Sequence, residues 1–136
     1  EDVSEWKRNS HRFFIEGYVK KNYEYVLKIL SEDYIDHSPA SARSNHDAVN
    51  ILKIIANIFD NLKIEILDVF AENEQVATRV RYEAKHIGEY MGISATHKTI
   101  SFEALENFKV VNGKIVESWG YWPDKEIEVL LLEEQI

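Results

Sequence analysis

A change in the spacing of apolar residues constrains the fold of this 136-residue chain more than any other feature. Up to about Asn61, apolar residues recur every three or four positions, which is typical of amphipathic helices. From Leu62 onward they alternate with polar residues, which is typical of half-buried strands. Helices therefore precede strands, and this order predicts an α+β domain whose helices pack on one face of an antiparallel sheet.

The clearest strand lies between residues 76 and 86. One face of this strand is predicted to carry Val76, Thr78, Val80, Tyr82, Ala84 and His86. Successive side chains of a strand point to opposite faces, so Arg79, Arg81 and Glu83 belong to the other side. We expect the first face to be buried and the second to contact solvent.

The remaining elements follow from the same patterns. Helices are predicted over Ser4 to Lys21 with Ser4 as the N-cap, over Tyr23 to Leu30, and from an Asn45 cap to about Asn61. Residues 34–39 are expected to be extended, because Pro39 disfavours a helix before it. Strands are predicted near residues 62–66, 99–111 and 114–122, and Asn112-Gly113 predicts a tight hairpin between the last two. A short apolar segment, residues 127–132, closes the single domain spanning 1–136.

Composition excludes several classes of protein. The formal net charge is -8 and basic residues are scattered, which disfavours nucleic-acid binding. No apolar run approaches the roughly 20 residues that span a bilayer, and we expect no membrane association, no signal peptide and a cytoplasmic location. The chain has no cysteine, and its histidines lack the spacing of zinc sites. Phosphate-binding loops are also absent, so neither a metal nor a cofactor is expected.

Several short motifs occur in a specific order. They are His86-Ile87-Gly88-Glu89-Tyr90-Met91-Gly92-Ile93, then Thr96 and Lys98, then Phe102, then Asn112-Gly113-Lys114-Ile115-Val116-Glu117-Ser118-Trp119, with Tyr34 to Pro39 upstream. This ordered set resembles the SnoaL-like family of the nuclear-transport-factor-2-like superfamily, over about residues 34–124. The chain departs from the family pattern at Ala95 and His97, where the family has proline and glycine.

The resemblance implies a cone-shaped fold, with three N-terminal helices packed on a strongly curved, mostly antiparallel sheet. It also implies a pocket for a small apolar organic ligand and a homodimer formed through the sheet. Leu105 and Val116 fit such an interface, because they are apolar residues on the otherwise polar side of their strands. Relatives include polyketide cyclases, and more distant ones isomerise steroids or hydrolyse epoxides.

Two carboxylates are candidate catalytic groups. Glu106 shares its strand parity with Phe102 and Ala104, which predicts that it faces inward unless a bulge turns it outward. Asp124 is suggested by the resemblance, because the cyclases use an acidic residue just after the last strand. That residue lies four positions beyond the tryptophan, whereas Asp124 lies five beyond Trp119. Asp124 therefore reaches the pocket only if Pro123 introduces a bulge; otherwise it caps the following helix.

Two histidines are further candidates for the site. His86 is the third candidate catalytic group, since it has inward parity and matches the family motif; it can either shuttle a proton or serve as a structural hydrogen-bonding group. His37 belongs to the Tyr34 to Pro39 element and is a candidate ligand-binding residue that could meet His86 in space. His11, His46 and His97 are expected to face solvent.

Four aromatic residues are predicted to bind the ligand. They are Tyr82, Phe102, Trp119 and Trp122. Aromatic walls suit a planar apolar ligand, and the same residues serve equally well as core. Alternation along the strand prevents Trp119 and Trp122 from both facing inward without a distortion.

Two functions remain open at this point. The first is a cofactor-free cyclase, isomerase or hydrolase that uses general acid/base catalysis. The second is a ligand-binding or dimerisation module without turnover, which the displaced aspartate and the altered turn at His97 favour. An adaptor role for the acidic surface is a third. Two or more ionisable residues converging in the cavity would favour the enzyme.

Overall fold

The computed structural model describes residues 2–133. Four α-helices and five strands follow one another along the chain. They are α1 (Val3–Arg12), a π-helical segment (Phe13–Val19), α2 (Tyr23–Ile29), β1 (Leu30–Asp36), α3 (Asn45–Ile58), β2 (Phe59–Glu72), β3 (Gln75–His86), β4 (Thr99–Val111), β5 (Lys114–Tyr121) and α4 (Asp124–Leu132). The predicted α+β class and its order of elements are confirmed.

The first helix differs from the prediction at both ends. Its N-cap is Asp2, whose carboxylate accepts a hydrogen bond from the Glu5 N–H at 3.0 Å, so the predicted Ser4 cap is wrong. After Arg12 the helix widens into a π-helical segment, in which the Lys20 N–H bonds to the Ile15 carbonyl, five residues back. Such segments are uncommon and occur often at functional sites.

The third helix is positioned by its own cap. Ser44 accepts a hydrogen bond from the Asp47 N–H at 3.0 Å, so the cap lies one residue before the predicted Asn45. The helix ends at Ile58, three residues before the predicted Asn61. Phe59 is already extended, because it begins a strand that pairs with the end of β3. Long-range strand pairing therefore sets this boundary.

The sheet has the order β1-β5-β4-β3-β2. Only the β1–β5 pair is parallel, and the other three pairs are antiparallel. Irregularities interrupt β1, β2 and the β4–β5 pair. Because bulges bend and twist a strand, they give the sheet the curvature of the cone-shaped fold that was predicted.

The two faces of β3 have the predicted character. Val80, Tyr82 and His86 are each fully buried, and the other inward residues of the strand are buried with them. On the opposite face, Arg79 forms ion pairs with Asp68 and Glu103, both at 2.7 Å. The predicted register of β3 is confirmed, and its inner face belongs to the main apolar core.

The outer face of the sheet is not uniformly polar. An apolar patch lies beside the arginine cluster and consists of Leu105, Trp119 and Tyr121. Leu105 and Tyr121 are directly opposite one another on β4 and β5, and their side chains are 61% and 58% exposed. Val116, the other residue predicted for this surface, is half-buried beside the β4–β5 irregularity.

Helix α4 packs back onto the domain through Ile127 and Leu131, which are buried. The Lys98 ammonium group donates a hydrogen bond to the Leu131 carbonyl at 3.0 Å. This contact places a positive charge at the C-terminal end of the helix, where the helix dipole favours it. Within residues 2–133, no helix has both the length and the apolar content needed to cross a bilayer.

Gly88 lies where two backbone segments come unusually close. Its N–H donates to the Ile58 carbonyl at 3.1 Å, and a Cβ atom at this position would lie 2.3 Å from the Asn57 carbonyl oxygen. We predict that Gly88→Ala destabilises the protein by about 1–3 kcal/mol through overpacking. The measurement is the free energy of unfolding in urea.

Gly17→Ala is the matched control for this prediction. Its added methyl group would meet the Leu52 Cδ1 atom at 3.2 Å, which is the end of a flexible side chain. Alanine also has a higher helix propensity than glycine, so we expect a change within about 1 kcal/mol. Equal effects of the two substitutions would contradict the account of Gly88.

Candidate functional site

A cavity of about 350 Å³ lies between α3, the π-helical segment and the ends of β1, β4 and β5. Its lining residues come from widely separated parts of the chain. They are Tyr18, Asp36, Ser38, Pro39, Ala40, Ile51, Ile54, Ile55, Ile58, Tyr90, Glu106, Gly120, Tyr121, Trp122 and Asp124. The isoleucines of α3 form one apolar wall, and three carboxyl groups from different elements reach the same space.

Glu106 lies on β4 with the inward parity that the sequence predicted. Its backbone is fixed by Thr78, whose hydroxyl group donates to the Glu106 carbonyl at 2.7 Å. Directly across the β4–β5 pair is Gly120. A Cβ atom at Gly120 would lie 3.0 Å from both Cδ and Oε1 of Glu106. The glycine therefore provides the space in which the Glu106 carboxyl group lies.

The environment of Glu106 favours its protonated form. Burial and, to a smaller extent, the nearby charge of Asp36 together raise the pKa of Glu106 to about 8. Within residues 2–133, the carboxyl group has neither an ion-pair partner nor a hydrogen-bond partner. Its proton is consequently exchangeable near neutral pH, which general acid/base chemistry requires.

Asp36 is held at the end of β1 by a group of donors. One carboxylate oxygen accepts from the Ser38 N–H and the other from the Ser38 hydroxyl group, both at 2.8 Å. Ser118 approaches Asp36 at 3.4 Å and also forms a short hydrogen bond with the Tyr34 hydroxyl group. Donors stabilise an ionised carboxylate, so Asp36 provides a fixed negative charge beside Glu106.

Asp124 lies at the mouth of the cavity in the first turn of α4. The chain turns after Tyr121, through Trp122 and Pro123, and this turn brings Asp124 to the cavity. The Tyr90 hydroxyl group donates to its carboxylate at 2.6 Å. Burial and the Asp124 carboxylate together raise the pKa of Tyr90 above its ordinary range, so the phenol keeps its proton.

Aromatic side chains form the wall and floor beneath these carboxyl groups. Trp122 lines the cavity and lies 5.2 Å from Tyr82 and 5.0 Å from Phe102, measured between ring centroids. Tyr18, brought inward by the π-helical segment, lies 5.7 Å from Tyr82. Tyr82 and Phe102 are buried behind this wall. Of the four aromatic residues predicted to bind the ligand, Trp122 therefore lines the cavity, and Tyr82 and Phe102 support it from behind.

His86 is not among the residues that line the cavity. It is fully buried beside Phe59, and its Nδ1 atom accepts a hydrogen bond from the Thr96 N–H at 3.1 Å. Burial lowers the pKa of His86, because a charged ring would lose its hydration. The neutral ring therefore tethers the β3–β4 connection, and the prediction that it takes part in catalysis finds no support in this placement.

His37 and Trp119 lie together outside the cavity. Their rings stack with centroids 4.9 Å apart, and His37 Nε2 lies 2.8 Å from a Glu117 carboxylate oxygen. His37 does not meet His86. The remaining histidines, His11, His46 and His97, are exposed as expected. Of the two tryptophans on this stretch, the structure brings only Trp122 to the ligand space, as strand alternation required.

Three lining residues were not identified from the sequence. Asp36 immediately precedes His37 in the Tyr34 to Pro39 element, whose motif contains the histidine and does not specify an acidic residue before it. Tyr18 lies on the apolar stripe of the first helix and gave no sign of an interior polar role. Tyr90 belongs to the motif after β3, but its link to Asp124 depends on two segments that are 34 residues apart.

A second, larger depression of about 780 Å³ lies beside the β2–β3 hairpin. Its ionisable lining residues are Lys7 and Glu72, and Phe70 lies exposed beside them. It gathers no buried polar group, so the smaller cavity is the better candidate site. Throughout residues 2–133, no three histidine, aspartate or glutamate side chains are grouped closely enough to hold a metal ion.

Comparison with solved structures supports this description of the fold. AclR, a candidate hydroxylase from Streptomyces galilaeus, is 26% identical with a TM-score of 0.83, over 96% of this chain and 97% of that one. IdmH, a candidate polyketide cyclase from Streptomyces antibioticus, is 18% identical with a TM-score of 0.82, over 93% and 97%. An epoxide hydrolase of the LEH-like type from M. tuberculosis is 15% identical with a TM-score of 0.74, over 95% and 90%.

Sequence comparison identifies the family. No curated protein matches the chain at a significant level. The model of the SnoaL-like polyketide cyclase family, in contrast, matches residues 9–128, which include every element from the π-helical segment to β5, the end of α1 and the first part of α4. The chain is therefore a member of the SnoaL-like polyketide cyclase family with the nuclear-transport-factor-2-like fold.

Proposed function

We propose that the protein is a cofactor-independent enzyme that moves a proton on a small, largely apolar carbonyl compound, as cyclases and isomerases do. The observation that carries this proposal is the Glu106 carboxyl group, which lies in the cavity and has no counter-ion among residues 2–133. Burying such a group costs several kcal/mol unless the protein uses or pairs it. Family membership supports the same conclusion, because it associates this fold with small organic ligands.

Glu106 acts as the base in this proposal. Its carboxylate removes a proton from the carbon beside the carbonyl group, the C–H electron pair moves into the carbonyl group, and an enolate forms. Where the enolate is conjugated with a double bond, returning the proton from Glu106 to a more distant carbon gives an isomer. Attack of the enolate on a second carbonyl carbon instead closes a ring, and the alkoxide formed there takes up the proton from Glu106. The isoleucine wall and Trp122 exclude water from the enolate while it reacts.

Asp124 takes a different role because it lies at the mouth, where it contacts solvent. Held by Tyr90, it exchanges protons between the site and water as the second ionisable group. His86 is assigned a structural role in this proposal, since its ring is neutral and tethered to Thr96. The two carboxyl groups thus lie in different environments, one inside the cavity and one at its mouth, which is typical of acid/base sites.

The proposal predicts catalysed exchange of an α-proton without knowledge of the natural substrate. We expect the protein to accelerate deuterium incorporation into 2-tetralone in D2O, measured by proton NMR. The second-order rate should rise with pH and level off above about 8, because only the ionised Glu106 accepts a proton. Glu106→Gln should lower the rate by about 10²–10⁴-fold.

Glu117→Gln is the matched control for this experiment. Glu117 lies on β5 and pairs with His37 outside the cavity, so the substitution changes the same charge at a different place. We expect its exchange rate to equal that of the unaltered protein. Two results would contradict the proposal: deuterium exchange no faster than the uncatalysed reaction, or a Glu106→Gln variant that exchanges as fast as the control. Either result would favour a ligand-binding module without turnover.

We also infer a homodimer formed through the outer apolar patch of Leu105, Trp119 and Tyr121. Its exposed, adjacent apolar side chains support an interface, since such patches are costly in water. Sedimentation at micromolar concentration should give twice the chain mass of 15.9 kDa. Leu105→Glu should shift the equilibrium to monomer, whereas Leu132→Glu, which alters an exposed leucine on α4, should not. A monomeric unaltered protein would contradict the inference.

A further inference from the structure

The charges that line the cavity are all of one sign. Asp36, Glu106 and Asp124 contribute carboxyl groups from three separate elements. None of the lining residues in the described part of the chain is a lysine, an arginine or a histidine. The formal charge of the whole protein is -8, so its long-range field reinforces the local one.

Two of these carboxyl groups accept hydrogen bonds from nearby donors. Asp36 receives hydrogen bonds from the N–H and hydroxyl groups of Ser38, and Asp124 receives one from Tyr90 at the N-terminal end of α4. Arg43 lies close enough to act as a counter-ion but does not do so. Its guanidinium group donates to the backbone carbonyls of Asp36 and Ala42, at 3.1 and 3.3 Å.

The Glu106 carboxyl group has neither an ion-pair nor a hydrogen-bond partner within residues 2–133. Gly120 leaves room beside its carboxyl group, and the adjoining wall carries Tyr18 and Trp122, whose aromatic faces attract cations. The cavity thus presents carboxyl groups and aromatic faces, both of which attract cations. Within residues 2–133, none of its lining side chains carries a positive charge. The apolar wall of α3 provides a surface for the body of the same ligand.

We propose that the cavity recognises a cation, and that the natural substrate is an apolar carbonyl compound bearing a protonated amine. The ammonium group is placed beside Glu106 and Asp36, Asp124 adds negative charge at the mouth, and the apolar body lies against the isoleucines of α3. Anionic compounds of the same shape are rejected, because the same carboxyl groups repel them. This inference rests on the proposed function only in taking the cavity as the ligand site.

Binding of an ammonium group should depend on pH through Glu106. The groups facing it are the hydroxyl groups of Tyr18, Tyr34 and Tyr82, which burial keeps neutral, and the Asp36 carboxylate. With the pKa of Glu106 at about 8 in the free protein, the carboxyl group is mostly protonated at pH 7. An ammonium ligand lowers that pKa, so binding releases a proton and becomes tighter as the pH rises toward about 9.

A matched set of three probes tests the proposal by isothermal titration calorimetry. The probes are 2-(2-naphthyl)ethylamine, 2-(2-naphthyl)ethanol and 2-naphthylacetate, which share one apolar body and differ in charge. We expect the amine to bind at least about tenfold more tightly than the alcohol, and the carboxylate to bind at least about tenfold more weakly. Titration in two buffers of different ionisation enthalpy should show proton release with the amine alone.

Two variants locate the source of the preference. Glu106→Gln should reduce the gap between amine and alcohol and abolish its increase with pH. Glu117→Gln, a carboxylate outside the cavity, should leave both unchanged. Equal affinities for amine and alcohol, tighter binding of the carboxylate, equal effects of the two variants, or no binding of any probe at millimolar concentration would overturn the inference. Deuterium exchange into 2-tetralone, a neutral ketone, does not depend on recognition of a cation. The proposed function would therefore stand even if the cation proposal failed.

Discussion

The burial of the Glu106 carboxyl group inside an apolar cavity is the physical constraint on which the account of this protein depends. Burial raises the pKa of Glu106 to about 8 because the charged form loses its hydration, and Asp36 adds repulsion in the same direction. Such a group destabilises the folded state at neutral pH unless ligand binding or catalysis uses it. The surrounding structure places the carboxyl group in the cavity, and no lysine, arginine or histidine within residues 2–133 lines that cavity to neutralise it.

Several features of the backbone serve this placement. Gly120 leaves space opposite Glu106 that a side chain would fill, and the Thr78 hydroxyl group fixes the Glu106 carbonyl. The π-helical segment directs Tyr18 toward the cavity, and irregularities in the strands curve the sheet around it. These distortions occur in elements that are otherwise regular, and local departures from regular structure often mark functional sites.

Local sequence patterns predicted those features of the fold that depend on residues close together in the chain. Alternation placed the inward residues of β3 and the inward parity of Glu106 correctly, and Asn112-Gly113 forms the predicted hairpin turn with both φ angles positive. The sequence did not identify Asp36 or Tyr18, because their roles depend on contacts between distant segments. Pairing of β1 with β5 places Asp36 beside Ser118, 82 residues away. The positions of His37 and His86 likewise depended on tertiary contacts, with Trp119 and Thr96 respectively.

The most direct test of the central claim is the titration of the Glu106 side chain itself. Carbon-13 NMR of the carboxyl resonances, with Glu106→Gln to assign the signal, measures the midpoint of its ionisation in the unliganded protein. The account predicts a midpoint near pH 8, well separated from those of exposed glutamates at about 4.3. A midpoint in the ordinary range would show that the carboxyl group is hydrated, and it would contradict both the proposed base and the cation site built around it.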